Sequence, residues 1–408
     1  AIMENEFFYP IHDIIDSDNH GMIVGKNGSL TYVVKLSSPE VYSLFKDEIE
    51  IRHETFVQAF SHMPDNSYIH KQDVFKKCAY QPSGVGLAYL AKADQEHFSG
   101  REYLKHTCVL AFTLSGLNSL SEAYTKNIFS FNEGLTNEDS ERLSEFLSGV
   151  DFAINNLSSL RNTKIHFLSV EELKSYIFSS ANFYEKDGIK DIHFNEEITA
   201  GKIKSRIYAI TDDEFLPETY PVFKKDFTVS REKSELYMTS SEPFAGIHLN
   251  HNHTYNQIFY FYSDKKLKDK LRTNLDTHIA NRGWDRINFP TKIDKMTGLV
   301  KEIKENNEIL CYAHYSIILW DDDIAKLDVA EKDLRSAMDL FDMNYYIPSY
   351  GNLADIYIGG IVGCTASLPV QYMFMTSLSL AVAFLVHYSP FYDDPEGIYF
   401  NDRLTQIP

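Results

Sequence analysis

Cysteine is scarce in this sequence. The 408 residues include four cysteines, Cys78, Cys108, Cys311 and Cys364, with no Cys-x-x-Cys pair and with apolar neighbours around each. Isolated thiols in apolar surroundings are typical of a reducing compartment, where disulfides do not persist. The first residues also lack the basic segment and apolar run of a secretory leader. These absences predict buried, unpaired thiols and a location on the cytoplasmic side of the membrane.

Positive charge is the next deficit. Lysine and arginine total 39 against 58 aspartates and glutamates, so the formal net charge is −19. A surface of that charge repels phosphate backbones, which argues against direct nucleic-acid binding. The exception is a basic cluster made of Lys265, Lys266, Lys268, Lys270 and Arg272. Such a cluster suits an anion or an acidic lipid surface, but we favour a solvated helix face.

Long hydrophobic runs are absent. The most apolar stretch, residues 371–386, is shorter than the roughly 20 residues that a membrane-spanning helix needs. No lysine or arginine flanks it, whereas an interfacial anchor usually has a basic polar face. We therefore predict a buried core helix at residues 371–386.

Nucleotide-binding and nucleophile motifs are also missing. A P-loop ends in Gly-Lys followed by Ser or Thr, because its amides and lysine surround the phosphates. Lys26 and Lys202 each follow a glycine, but the next residues are Asn27 and Ile203. The glycines of residues 359–363 have the wrong spacing for a dinucleotide fingerprint, and no Gly-x-Ser-x-Gly elbow occurs. We interpret these glycines as a turn or a site of close backbone packing.

Strand and helix patterns alternate in the first part of the chain. Residues 21–36 hold two strand-like runs around the turn Lys26-Asn27-Gly28, which predicts a β-hairpin. Residues 38–61 have apolar positions at helical spacing, and strand-like runs occupy 68–75 and 106–114. Further helices are predicted to open at Asn137 and at Ser169, where Glu172 completes a capping box.

The second part of the chain repeats this alternation. Strand patterns in residues 204–263 precede helical patterns at 264–282 and 291–306, a strand at 309–320 and a helix at 323–340. We predict an α+β fold of two ferredoxin-like or related strand-and-helix lobes joined by helices, with mostly antiparallel sheets. The predicted divisions are 1–135 for the N-terminal lobe, 136–200 for a helical connector, 201–350 for the second lobe and 351–408 for an apolar helical segment.

One cluster of side chains suggests metal chemistry. His248, His251 and His253 lie close together in sequence, and imidazole is a common ligand of zinc and iron. Their spacing matches no specific motif, and a complete site would need a partner from elsewhere, such as Glu242. Two interpretations stay open, a metal site and histidines that hydrogen-bond in a loop, and we favour the second.

Two other candidates have simpler structural explanations. The three aspartates of residues 321–323 suit a hard cation, but they lack the spacing of a calcium loop, and we interpret them as the acidic cap of the next helix. His106 and Cys108 are two residues apart in a predicted strand, so they share one of its faces. Their apolar neighbours favour a packed face over a cysteine nucleophile.

A series of short segments, taken together and in order, resembles a known family. The segments are Asn5-Glu6, His70-Lys71-Gln72-Asp73 before Phe75, Tyr103-Leu104 with His106 and Cys108, Asn252-His253 with Tyr255-Asn256-Gln257, Trp320-Asp321-Asp322, Gly351-Asn352-Leu353-Ala354-Asp355, Ser389-Pro390-Phe391 and Asp402-Arg403-Leu404-Thr405. They resemble the N-terminal region of the TraG family of Bacteroides-type conjugative transposon proteins, which are VirB-like ATPases of type IV secretion. The resemblance extends over the whole chain.

The resemblance implies a function that the missing motifs leave open. In that family the segment like residues 402–405 lies shortly before the Walker A loop of a RecA-like ATPase domain. Residues 351–408 are therefore expected to lead into an ATPase domain that this sequence lacks, and ATP and Mg²⁺ are expected to belong to that domain. The family supplies no catalytic residue within residues 1–408, so we expect this fragment to have no enzyme activity, cofactor or metal of its own.

The expected function is that of an N-terminal interaction and assembly region of a conjugation ATPase, which powers DNA transfer or channel assembly in the full-length protein. The expected partners are other conjugation-apparatus proteins at the inner membrane and a second copy of the chain, with direct nucleic-acid binding disfavoured. The expected location is cytoplasmic and peripheral to the inner membrane. The alternatives are a stand-alone metal-dependent enzyme that uses His248, His251 and His253, and a stand-alone binding module.

Overall fold

A computed structural model describes residues 10–17, 20–81, 89–117, 136–184, 191–217, 224–225, 237–280 and 289–390. Two of the segments that carry the family resemblance, Asn5-Glu6 and residues 402–405, and the predicted lead-in from residue 391 onward lie outside these ranges.

Strands and helices alternate along the described chain. The strands are β1 (Ile11–Ser17), β2 (His20–Gly25), β3 (Leu30–Ser37), β4 (Ser67–Ala79), β5 (Glu102–Leu114), β6 (Lys164–Phe167), β7 (Ile192–Phe194), β8 (Ile198–Ala200), β9 (Ile203–Ile210), β10 (Lys224–Lys225), β11 (Tyr237–Met238), β12 (His253–Phe261), β13 (Leu310–Asp321) and β14 (Phe374–Ser377). The helices are α1 (Lys46–Phe60), α2 (Tyr89–Phe98), α3 (Asn137–Ser158), α4 (Val170–Ala181), α5 (Asp264–Ala280), α6 (Phe289–Asn306), α7 (Ile324–Leu340), α8 (Tyr350–Gly359) and α9 (Leu378–Val382).

Twelve of the strands form one antiparallel sheet. Its order is β1-β2-β3-β5-β4-β12-β13-β9-β8-β7, with β6 paired to β3 and β14 paired to β13, and β10 pairs with β11 in a separate ribbon. The α+β class and the antiparallel pairing predicted from sequence are confirmed. Strands predicted for the two lobes lie side by side in this sheet, because β4 pairs with β12 from Ser67↔Phe261 to Phe75↔His253. The connector adds the helices α3 and α4 and also the short strands β6, β7 and β8.

Helices cover both faces of the sheet, and each face has its own apolar core. One face packs aromatic residues such as Phe75, Phe112 and Phe259 against α1, α3, α7 and α9. The other face packs residues such as Ile258 and Tyr260 against α4, α5 and α8. The central strands β4, β12 and β13 are therefore buried on both sides. Every residue of β12 is buried, polar side chains included.

The predicted helix at residues 371–386 is wrong, although the stretch is buried as expected. Residues Phe374–Ser377 form β14 against the start of β13, and the α-helix of this stretch has only the five residues Leu378–Val382. Two buried tyrosines hold the helical part: Tyr255 Oη donates to the carbonyl of Phe384, and Tyr315 Oη donates to that of Ala381. An evenly apolar run has no period that separates strand from helix, so partners distant in sequence decide its structure. Within the described residues, no helix combines the length and apolar character needed to cross a membrane.

The glycines of residues 359–363 are sites of close packing, as predicted. A Cβ on Gly360 would lie 2.8 Å from the Asn256 side-chain nitrogen, and one on Gly363 would lie 2.6 Å from Ile23 Cδ1. Gly363 also has φ +91°, a conformation that favours glycine. These contacts bring the end of α8 directly onto the central strands.

The predicted helix caps are confirmed. Asp323 Oδ1 accepts a hydrogen bond from the Ala325 N–H at 2.9 Å, so the aspartates of residues 321–323 open α7 as an acidic cap. Ser169 and Glu172 form the predicted capping box at the start of α4. The basic cluster lies on α5, whose Leu267 and Leu271 are buried while Lys265, Lys266 and Arg272 are exposed, so it is a solvated helix face.

Candidate functional site

Two of the three clustered histidines contact separate carboxylates. His248 Nδ1 lies 3.0 Å from Oε1 of Glu242, the partner named from sequence, and that carboxylate is fully buried and also accepts from Tyr388 Oη. His251 Nε2 lies 2.7 Å from Asp333 Oδ2 on α7. The described residues contain no group of three or more histidine, cysteine, aspartate or glutamate side chains placed to hold a metal ion.

The third histidine, His253, is part of the packed core. Its Nδ1 lies 2.7 Å from the carbonyl of His251 and its Nε2 lies 2.9 Å from the carbonyl of Phe244. Burial lowers its pKa to about 4, so the ring is neutral at pH 7 and one nitrogen donates. Its ring stacks on Phe75, whose other face stacks on His106. All three histidines hydrogen-bond, but His253 does so from strand β12 and His251 to a carboxylate on α7, rather than within one loop.

The chain buries a charged cluster at the centre of one sheet face. Asp73, which has no exposed surface, accepts hydrogen bonds from Lys71 Nζ at 2.5 Å, from Gln257 Nε2 at 2.7 Å and from His106 Nε2 at 2.8 Å. Burial alone would raise the pKa of Asp73, but the neighbouring Lys71 and His106 hold it below its usual range. Cys108 lies opposite Asp73 in the sheet and is buried, as its strand position predicts. The side chains of His106 and Asp73 are 3% and 0% exposed, so this carboxylate–imidazole pair is buried.

A neutral polar cluster occupies the same position on the opposite sheet face. Asn256 Oδ1 faces Gln72 Nε2 at 2.7 Å and His70 Nε2 at 3.0 Å, and Gln72 also donates to the carbonyl of Gly360 at 2.8 Å. Tyr176 Oη on α4 donates to Gln72 Oε1 at 2.6 Å. These bonds tie β4, β12, α4 and the end of α8 together. Sequence reasoning missed both clusters, and the only signal was a run of four polar residues, 70–73, inside a strand pattern.

An open cleft lies where the central strands end, and we call it the lysine cleft. Its volume is about 790 Å³. Four lysines line it: Lys76 and Lys77 from β4, Lys202 from the turn between β8 and β9, and Lys326 from the first turn of α7. Within the described part of the chain, these lysines form no ion pair within 4.0 Å. In a chain of net charge −19, four lysines without a close ion pair at one cleft are a local concentration of basic side chains.

Aromatic residues form one wall of the lysine cleft. Trp320 at the end of β13 packs against Phe183 and Tyr184, with ring centroids 6.2 Å and 6.0 Å away. Phe183 and Tyr184 have φ values of 51° and 59°, so two consecutive bulky residues adopt the left-handed conformation. That conformation costs roughly 1–2 kcal/mol per residue. The strain places the Tyr184 ring beneath the Lys76 ammonium group, which lies 4.8 Å from its centroid.

The lysine cleft also contains carboxylates. Glu102, Asp321 and Asp322 line it, so four lysines face three acidic side chains. Burial raises the pKa of Asp321, and its hydrogen bond with Asp322 adds to that effect. The cleft therefore presents both signs of charge around an aromatic wall. Sequence reasoning did not find it, because its walls come from six segments far apart in the chain.

A second groove, of about 670 Å³, lies between the β7–β8 hairpin and the helices α7 and α8. Its guanidinium is already neutralised: Arg206 contacts Glu331 at 2.6 Å, Asp328 at 2.8 Å and Glu197 at 3.3 Å. In this groove the carboxylates pair with the guanidinium group, whereas the lysines of the lysine cleft form no ion pair within 4.0 Å among the described residues. The lysine cleft is therefore the stronger candidate for recognition.

The comparisons with known proteins add no relative. Neither the models of known protein families nor the curated protein sequences contain a match to this chain. The resemblance to the TraG family therefore rests on the short segments given above. Two of them, residues 70–73 and 252–257, belong to the paired strands β4 and β12, where they build the two buried polar clusters.

Proposed function

We propose that this chain is the N-terminal interaction and assembly region of a conjugation ATPase of type IV secretion. The order of the short family-like segments supports this assignment, and so does the lack of nucleotide-binding motifs in the sequence. ATP hydrolysis would belong to another part of the same protein. The chain itself would dock the ATPase to conjugation-apparatus proteins on the cytoplasmic side of the inner membrane.

The observation that carries the proposal is the lysine cleft. Its lysines form no close ion pair among the described residues, and two of them, Lys76 and Lys77, lie on the central strand β4. Ammonium groups held by ordered elements are suited to recognition, since a partner then supplies opposite charges at little conformational cost. The acid–base pair that resembles catalytic machinery, Asp73 with His106, is buried away from this cleft. A docking function therefore uses the exposed chemistry better than a catalytic one does.

The test is a conjugation assay in donor cells whose full-length protein carries Lys76→Glu together with Lys326→Glu. We expect transfer frequency to fall at least tenfold at unchanged protein level, because the reversed charges repel the partner. The matched control is Lys265→Glu with Lys266→Glu on α5, which follows the far end of β12. This control removes the same charge from an exposed helix face and should transfer nearly as well as the unaltered protein. Normal transfer by the cleft variant would rule out the docking proposal.

A further inference from the structure

The charge pattern of the lysine cleft restricts what can occupy it. A polyphosphate or nucleic-acid backbone presents negative charge along its whole length, and it would meet Glu102, Asp321 and Asp322 as well as the lysines. Among the described residues that line the cleft there is no arginine, the residue best shaped for bidentate phosphate contacts. The net charge of −19 further repels a long polyanion. A ligand with a few separated carboxylates fits this pattern better.

The cleft also offers an apolar contact beside its charges. Val329 on α7, which is 52% exposed, lines the cleft together with the half-buried Tyr184. An exposed valine at the rim of a charged cleft gains from contact with an apolar side chain of a ligand. Isolated inorganic anions lack such a group, whereas a peptide supplies carboxylates and an apolar side chain together.

Two backbone donors of the strands at the cleft are already bonded. The Trp320 N–H donates to the carbonyl of Asn252, and the Lys77 N–H donates to Asn252 Oδ1 at 2.8 Å. These bonds favour recognition by side chains over addition of a strand at Trp320 and Lys77. The volume of about 790 Å³ is that of a site for a small ligand, which limits a peptide to a short segment.

We infer that the lysine cleft binds a short acidic segment of a partner protein. Aspartate or glutamate side chains of that segment pair with Lys76, Lys77, Lys202 and Lys326, and one apolar side chain packs on Val329 and Tyr184. This inference rests on the proposed docking function and names the chemistry of the partner.

The experiment measures binding of labelled peptides to the purified 408-residue chain by fluorescence anisotropy. The probes are a six-residue peptide of four glutamates and two phenylalanines, its counterpart with glutamine in place of glutamate, and a ten-nucleotide single-stranded DNA. We expect the acidic peptide to bind at least tenfold more tightly than the glutamine peptide and the DNA. Its affinity should fall at least threefold between 50 mM and 500 mM salt, since exposed charges are screened.

Variants locate the binding site. Lys76→Glu together with Lys326→Glu should weaken binding of the acidic peptide at least tenfold. The milder Lys326→Gln should weaken it at least twofold. The thermal unfolding temperature of both variants should be unchanged. Lys265→Glu with Lys266→Glu should leave its affinity within twofold of the unaltered chain. Equal binding of the two peptides, or loss of binding only in the α5 control, overturns the inference. Tighter, cleft-dependent binding of the DNA overturns it in favour of a nucleic-acid site.

The outcomes also separate this inference from the proposed function. If the acidic peptide binds in the cleft but the cleft variant transfers DNA normally, the docking function in conjugation fails and the peptide site stands. If the peptide does not bind but the cleft variant loses transfer, the peptide chemistry is wrong and the docking function stands.

Discussion

Single buried charges decide the stability of the centre of this sheet. Asp73 has no exposed surface and Lys71 is 1% exposed, so removing one charge leaves the other buried without compensation. We predict that Asp73→Asn lowers the free energy of unfolding by about 3–5 kcal/mol, the usual cost of breaking a buried ion pair. Urea unfolding of the 408-residue chain, followed by circular dichroism, measures the change. The control is Glu50→Gln, whose ion pair with Lys46 on α1 is exposed and should contribute below about 1 kcal/mol. Similar small losses in both variants would show that Lys71 finds another partner.

At the scale of elements, the approach of α8 to the central strands depends on Gly360. This residue caps α8 with ordinary right-handed backbone angles, so alanine causes no backbone strain there. Its Cβ would nevertheless lie 2.8 Å from the buried side chain of Asn256, which already bonds His70 and Gln72. We predict that Gly360→Ala lowers the free energy of unfolding by about 1–3 kcal/mol, the usual cost of overpacking.

A glycine in open space provides the matched control for that prediction. Gly298 lies within α6, and an added Cβ would meet no atom within 4 Å. Gly298→Ala should stabilise the chain by about 0.5–1 kcal/mol, because alanine has less freedom to lose in a helix. Urea unfolding of the two variants side by side separates steric conflict from backbone entropy. If Gly360→Ala stabilised the chain, the side chains of the polar cluster around Asn256 would move aside without a loss in the free energy of unfolding.

Elements were predictable from sequence where local chemistry defines them. The hairpin at Asn27-Gly28, the capping box of Ser169 and the cap of Asp323 each depend on a few neighbouring residues, and each is present in the structure. The pairing of β4 with β12 was not predictable, since it joins residues far apart in the chain, such as Phe75 and His253. For the same reason the polar run 70–73 signalled buried polar residues but not their partners on β12, and the lysine cleft was missed. The helix predicted for residues 371–386 is wrong because contacts with distant residues, rather than an apolar period, determine the structure of this stretch.

At the scale of the whole molecule, one sheet joins the segments that sequence divides into two lobes. Its centre holds the buried polar clusters, and the lysine cleft opens at the end of the same strands. The strained aromatic wall and the lysines of the cleft are therefore attached to the most buried part of the chain. A partner bound in the cleft would contact a preorganised surface. Stability of the central strands is then a condition for recognition.

Acid should unfold this molecule well before its carboxylates are protonated. Burial lowers the pKa of His70, His253 and His314 to about 4, against about 6.5 in the unfolded chain, and it also lowers the pKa of His387. Each histidine binds fewer protons in the folded chain than in the unfolded chain. Its contribution to the free energy of unfolding is therefore present above pH 6.5 and is lost as the pH falls towards 4. Four such groups give a slope of up to about 5 kcal/mol per pH unit between these limits. Because total stability is typically about 5–15 kcal/mol, we predict unfolding near pH 5.

Urea unfolding at intervals from pH 8 to pH 4 measures this slope, and His387→Phe, placed beside the ring of Phe56, should reduce it by about one proton. Constant stability from pH 7 to pH 5 would show that these rings are charged in the folded chain and that the polar centre of the sheet is accessible to water.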